Sequence, residues 1–173
     1  PPRPWIRTSN TLPSYACSVP AMELEFRPGA VNVGDGGRLV AAMAEELHAI
    51  YDGLDIDAPD MPKAGPTELG PPHGAFLVGY SGDTAVCCGG LMRLPDGAAE
   101  IKRMYVAPEA RSKGVAAQLL AALEDAARAL DYAVIRLDTG DRQPHAEALY
   151  RRSGYAPGPN FNNNPMAAFF GTK

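Results

Sequence analysis

From Met22 onward the apolar positions fall into short segments of period two or close to 3.6, separated by glycine- and proline-rich turns. MELEFRP (22–28) reads as a first strand with Leu24 and Phe26 on one face. After Gly34-Asp35-Gly36-Gly37, the series Leu39, Val40, Met43, Leu47, Ile50 and Leu54 predicts an amphipathic helix with acidic residues opposite. Residues 54–72 hold five prolines and no apolar period, so they predict a long loop, functional or mobile. GAFLVGY (74–80) and TAVCCGGLMRL (84–94) then form a hairpin about Ser81-Gly82-Asp83, and AAEIKRMYV (98–106) adds a third strand after Pro95-Asp96-Gly97.

In that third strand the apolar residues change parity, Ile101 being odd and Met104 and Val106 even. A β-bulge between Ile101 and Met104 would return them to one face; the alternative is a strand buried on both sides. A helix follows from about Ser112 to Leu130, with Val115, Leu119, Ala122, Leu123, Ala126 and Leu130 in one stripe. AVIRLD (133–138) is a nearly continuous apolar run, as a central strand requires. A last helix spans Pro144 to Ser153 and stops at Gly154, and the tail suggests two closing strands around an Asn-rich turn. The predicted architecture is α/β: one domain over 22–173, a mixed and mostly antiparallel sheet flanked by helices. Residues 1–21 are proline-rich and aperiodic, and read as an extension preceding the domain, not part of its core.

Composition narrows the partners. The chain has 173 residues, enough for one core but not comfortably two. A net charge of -4 without a Lys/Arg run gives no footprint for nucleic acid or an anionic membrane, so a small molecule is the expected partner. No apolar run approaches the roughly 20 residues that span a bilayer, and no signal peptide is visible, which points to a cytoplasmic protein. Cys17, Cys87 and Cys88 are odd in number and the last two point to opposite strand faces, so no disulfide framework is expected. His48, His73 and His145 share no ligand spacing, so no metal is expected.

The most informative stretch is EIKRMYVAPEARSKGVAAQLL (100–120). A strand ends at Val106, and Arg111-Ser112-Lys113-Gly114-Val115-Ala116 leads directly into a helix. Orphan amides and the positive end of the helix dipole meet there, and Gly114 permits close backbone approach, so the stretch suits a phosphate. A routine strand-to-helix turn is the other reading. Arg111 and Lys113 oppose the dipole at that end, a conflict that an anionic ligand would remove.

Arg111-x-x-Gly114-x-Ala116 resembles the Q/R-x-x-G-x-G/A pyrophosphate motif of the GCN5-related N-acetyltransferases (GNAT), in the same context of strand before and helix after. AVIRLDTG followed by AEALYRRSGY is similar to the later half of that family, with its L-Y-x-x-x-G-Y/F tyrosine. The resemblance covers Met22 to the C-terminus. It implies acetyl-CoA as cosubstrate, with Met104, Tyr105 and Val106 pairing with the pantetheine arm and the amides of Arg111, Ser112, Lys113, Gly114, Val115 and Ala116 holding the pyrophosphate. The thioester would lie where the strand ending near Val106 and the strand beginning near Ala133 splay apart.

The resemblance further implies that Tyr150 protonates the leaving thiolate, its alternative being a packing aromatic. Glu100, eleven residues before Arg111, matches the general-base glutamate of the family's histone acetyltransferases. Gln143 stands where many members carry a cofactor-contacting asparagine, seven residues before the tyrosine. Asp52, Asp55, Asp57, Asp60 and Glu68 make residues 52–68 acidic, which beside an acceptor pocket would favour a cationic amine. The implied function is direct acetyl transfer to a primary amine, by a monomer or homodimer. A module of the same fold that binds acyl-CoA without turnover is the rival.

Overall fold

The computed structural model describes residues 21–173. The order is β1 (Glu25–Pro28), α1 (Gly34–Ile50), β2 (Ala75–Ser81), β3 (Thr84–Arg93), β4 (Ala99–Val106), a short 3-10 turn (Pro108–Ala110), α2 (Val115–Ala129), β5 (Ile135–Gly140), α3 (Pro144–Arg152), β6 (Ala156–Pro157) and β7 (Ala167–Thr172). The strands form one seven-stranded sheet in the order β1-β2-β3-β4-β5-β7-β6. Every neighbouring pair is antiparallel except β4–β5, which is parallel. The expected mixed, mostly antiparallel α/β domain is what the structure contains.

Each sheet face carries its own core. Leu119, Leu120 and Leu123 of α2 pack with Leu91, Ile101 and Leu137 on one face. Leu39 and Met43 of α1 pack with Phe76, Val78 and Tyr105 on the other. Leu24 and Phe26 share the α2 face, as their alternation predicts. Cys87 and Cys88 separate the same way, one to each core. Both are free thiols. Burial pushes Cys87 up to about 11 and Cys88 up to about 12, so neither is a thiolate nucleophile near neutral pH. Cys17 lies outside the described residues.

The change of parity in β4 is resolved by a bulge. Between Cys88↔Tyr105 and Gly90↔Lys102, β3 advances two residues while β4 advances three. The extra residue sits at Arg103, whose φ of 57° is left-handed. Ile101, Met104 and Val106 consequently meet the same core, while Tyr105 enters the other.

Several boundaries differ from the sequence pattern. The second long helix begins at Val115, not Ser112, because Ser112 (φ 60°) and Gly114 (φ 76°) are left-handed and cannot be helical. α1 takes in Gly36 and Gly37, read above as turn residues; Gly36 lies so close to the Ala30 carbonyl that a Cβ would overlap it. It also stops at Ile50, short of Leu54. β1 is shorter than its apolar alternation, and β5 lies two residues later than AVIRLD.

Candidate active site

β4 and β5 pair only over Ala99–Ile101 and Ile135–Leu137. Beyond Ile101 the strands part, and among the described residues no strand pairs with the cleft edge of β4 from Lys102 to Val106. The fork forms two concave lobes. One lies among Met104–Val106, the 111–117 segment and α3. The other lies under α1 and the following loop, with Arg103 and Asp138 in its wall. Glu46, Met104, Tyr105, Gln143, Ala146 and Tyr150 line both, so the lobes meet at the mouth of the fork.

The first lobe brings together nearly all the residues expected to hold the cofactor. Met104, Tyr105, Val106, Arg111, Ser112, Gly114, Val115, Ala116 and Gln143 line it; Lys113 does not. Ser112, Lys113 and Gly114 donate no amide hydrogen bond among the described residues, and the first amides of α2 have no partner within the helix. Among the described residues the N–H groups from Ser112 to Ala117 thus have no partner, and all but that of Lys113 belong to residues lining the lobe, a chemistry that fits a pyrophosphate. The two cations turn away from the dipole. Arg111 donates to Glu46 on α1 (2.5 Å) and to the Val106 carbonyl (2.9 Å), and Lys113 caps the Glu109 carbonyl (2.8 Å). Gln143 ends up as the residue before α3, its Oε1 accepting from the Thr139 hydroxyl at 3.2 Å.

The chain enters past this loop: Met22 donates to the Lys113 carbonyl (3.2 Å), and Gln118 donates back to the Met22 carbonyl (2.9 Å). The remainder of the expected extension, residues 1–20, lies outside the described residues. A chain beginning at Met22 keeps both contacts and should fold and bind coenzyme A as the longer chain does, checked by a thermal-shift titration. An insoluble product, or one that no longer binds, would give residues 1–21 a structural part.

Tyr150 is 6% exposed and lies at the junction of the lobes. Its hydroxyl is 3.8 Å from Met104 Sδ, and its ring meets Tyr155 edge-on at 6.1 Å. Burial, and then the nearby Asp138 charge, push the phenol far above its usual pKa, so it stays protonated.

Glu100, 1% exposed, lines neither lobe. It faces away from the Ile101 core into a cluster of charges. Lys102 Nζ lies 2.7 Å from Glu100 Oε1 and 3.2 Å from Asp138 Oδ1. Asn162 donates to Glu100 (2.5 Å) and Asp138 (2.7 Å), and Asn164 to Asp138 (2.9 Å). Of the two carboxylates, Asp138 lines the second lobe and Glu100 lines neither. The one available signal was a charged pair, Glu100 and Lys102, recurring with period two inside a strand flanked by apolar runs.

Burial holds the Glu100 carboxyl above the usual glutamate range, against the lowering by Lys102. A raised carboxyl pKa supports stability below the unfolded-state value and loses that support as pH rises through the folded value. Lys102→Met would leave two buried carboxylates facing each other, and we expect it to cost about 3–5 kcal/mol in denaturant unfolding. The loss should be larger in mildly alkaline than in mildly acidic buffer. Glu100→Gln, which leaves Lys102 paired with Asp138, should cost far less.

The acidic loop also differs from expectation. It supplies apolar side chains to the second lobe, among them Leu54, Ile56, Met61 and Ala64, and none of its carboxylates. Asp52 pairs with Arg142, Asp57 with Arg103, and Glu68 accepts from the Gly65 amide. Among the described residues no group of histidines, cysteines and carboxylates is arranged to hold a metal ion, and no helix is long and apolar enough to cross a membrane.

A forked β4/β5 pair, a bulge on β4, a free helix start and a tyrosine at the fork define an acyl-CoA-dependent transferase fold. The chain belongs to the acetyltransferase (GNAT) family, whose model matches residues 37–155, and it is an acyltransferase. It is 36% identical over 105 residues to the IAA acetyltransferase of Azospirillum brasilense, covering 58% of this chain and 69% of that one. A solved Klebsiella pneumoniae structure named for acyl-CoA N-acyltransfer aligns over 87% of this chain and 96% of its own, at 31% identity and TM-score 0.68. The PaiA N-acetyltransferase of Thermoplasma acidophilum, solved with coenzyme A, shares the fold at 16% identity and TM-score 0.62 over 88% and 99% of the two chains.

Proposed function

We propose that this chain moves an acetyl group from acetyl-CoA to a primary amine of a small-molecule acceptor, without an acyl-enzyme. The observation that carries the reading is Tyr150, a phenol kept protonated by burial at the meeting point of the two lobes. The name of the Azospirillum relative supports acetyl as the transferred group. The coenzyme-A complex of the Thermoplasma protein, which shares the fold, supports a coenzyme-A thioester as the donor.

Bound acetyl-CoA supplies a thioester whose carbonyl carbon the amine attacks, forming the amide C–N bond as the C–S bond breaks. The chain's own residues orient and move protons. The amides from Ser112 to Ala117 hold the pyrophosphate, and the edge of β4 from Met104 to Val106, which no described strand pairs and whose Val106 carbonyl is taken by Arg111, aligns the extended arm as an added strand would. A backbone N–H on that same edge polarises the thioester oxygen. Tyr150 gives its proton to the departing sulfur. The proton lost by the amine goes to the carboxylate group at the floor of the fork, where Asp138 faces the acceptor and Glu100, behind Lys102, positions it.

The test is a thiol-release screen with acetyl-CoA in excess across polyamines, aminoglycosides, amino acids and peptide N-termini. At least one class should release thiol well above the amine-free rate. Release that no amine accelerates would contradict the reading.

A further inference from the structure

The second lobe contains a cation that the mechanism above does not use. Arg103 lines it, one residue from Met104, and its side chain is only 9% exposed. It occupies the bulge with φ 57°, a conformation arginine adopts at a cost, and the bulge sets the direction of its side chain. Its donors are incompletely used. Nη2 donates to Asp57 Oδ1 (2.7 Å) and toward the Ile56 carbonyl (3.4 Å), whereas Nε is buried with no partner among the described residues. Nε–H and one Nη2–H lie on the same edge of the guanidinium, the edge that a carboxylate grips with both oxygens. Asp57 engages Nη2 and leaves Nε unmet.

Asp57 is also an unusual permanent partner. Its side chain is 79% exposed, while that of Arg103 is buried. A ligand carboxylate could replace it without leaving the buried guanidinium uncompensated, because Asp57 would pass into water it already largely occupies. The other charges of the lobe are committed: Lys102 to Glu100 and Asp138, and Glu46 to Arg111. The loop across the lobe supplies only apolar side chains.

We infer that Arg103 recognises a carboxylate on the acceptor by displacing Asp57, so the substrate is an amino acid or a similar amine that also bears a carboxylate. The inference rests on the second lobe being the acceptor side. The acceptor then has its carboxylate at Arg103 and its amine at the fork beside Met104 and Tyr150, the floor at Asp138 accepting the amine proton.

The test measures binding rather than turnover. Protein saturated with coenzyme A is titrated by calorimetry with N-acetyl amino acids and with the matching N-acetyl amino acid amides. At least one acid should bind about ten- to a hundredfold tighter than its amide, the scale of hydrogen bonds to a charged group. Arg103→Met should erase the preference while the coenzyme-A thermal shift persists. Asp57→Asn should preserve or strengthen it, since a competing carboxylate is gone. Equal binding of acids and amides, or no binding of either at millimolar concentration, overturns the inference. So does loss of the preference in Asp57→Asn as well, which would mean that the ion pair only anchors the loop. Failure of the transferase reading is seen separately, as the absence of amine-dependent thiol release.

Discussion

Tyr150→Phe should lower kcat by about 10²- to 10⁴-fold while leaving acetyl-CoA affinity and thermal stability nearly unchanged. The ring keeps its place in the α2-side core and its edge-on contact with Tyr155. The hydroxyl gives up only a weak contact with Met104 Sδ, so its removal costs little folding energy. The phenol is raised far above its usual range, so it is a proton donor across the accessible pH range and never a base. A loss of less than tenfold would mean that water reaches the sulfur and substitutes for the phenol. Activity within a factor of two of the parent would reduce Tyr150 to a packing residue.

Gly114→Glu should abolish stabilisation by acetyl-CoA. At ligand about 100-fold above its dissociation constant, the parent should gain roughly 2.7 kcal/mol, read as a rise in Tm. In the variant a carboxylate would stand among amides that await an anion, and its own charge would occupy the positive helix start. Backbone strain contributes too, since φ at Gly114 is 76°. Gly114→Ala separates the two effects. Among the described residues only Ala21 comes within 4 Å of a Cβ placed there, so alanine should lower stability through strain yet keep most of the coenzyme shift. Equal loss of the shift in both variants would mean that backbone geometry, not charge, governs the site.

The elements legible in the sequence are those whose signal is local. The parity change between Ile101 and Met104 announced the bulge, and the 3.6 period of Leu119 and Leu123 announced α2. The stretch from Met104 to Ala116 was legible as one side of the first lobe because it is contiguous in sequence, whereas Glu46 reaches the same lobe from α1 without a local signal. Ser112 gave no sign of its left-handed backbone, and α2 accordingly starts later than its pattern.

The hidden parts depend on contacts between distant segments. Glu100 meets Asn162, 62 positions away, and Arg111 meets Glu46, 65 positions away. No period or motif encodes such pairs. The acidity of residues 52–68 was plain, but the sequence could not show that Asp52 and Asp57 would turn to Arg142 and Arg103, leaving the lobe an apolar wall. Arg103 carries no local signal of its own burial, which follows from the bulge.

The central claim is direct transfer from acetyl-CoA to an amine, and a mass balance tests it most directly. Protein, acetyl-CoA and the best amine of the screen are mixed, and free coenzyme A, acetylated amine and intact protein mass are measured together. The account predicts coenzyme A and acetylated amine in equal amounts, with the protein mass unchanged throughout. Coenzyme A released without acetylated amine, or a protein that gains an acetyl group and passes it on, would contradict it.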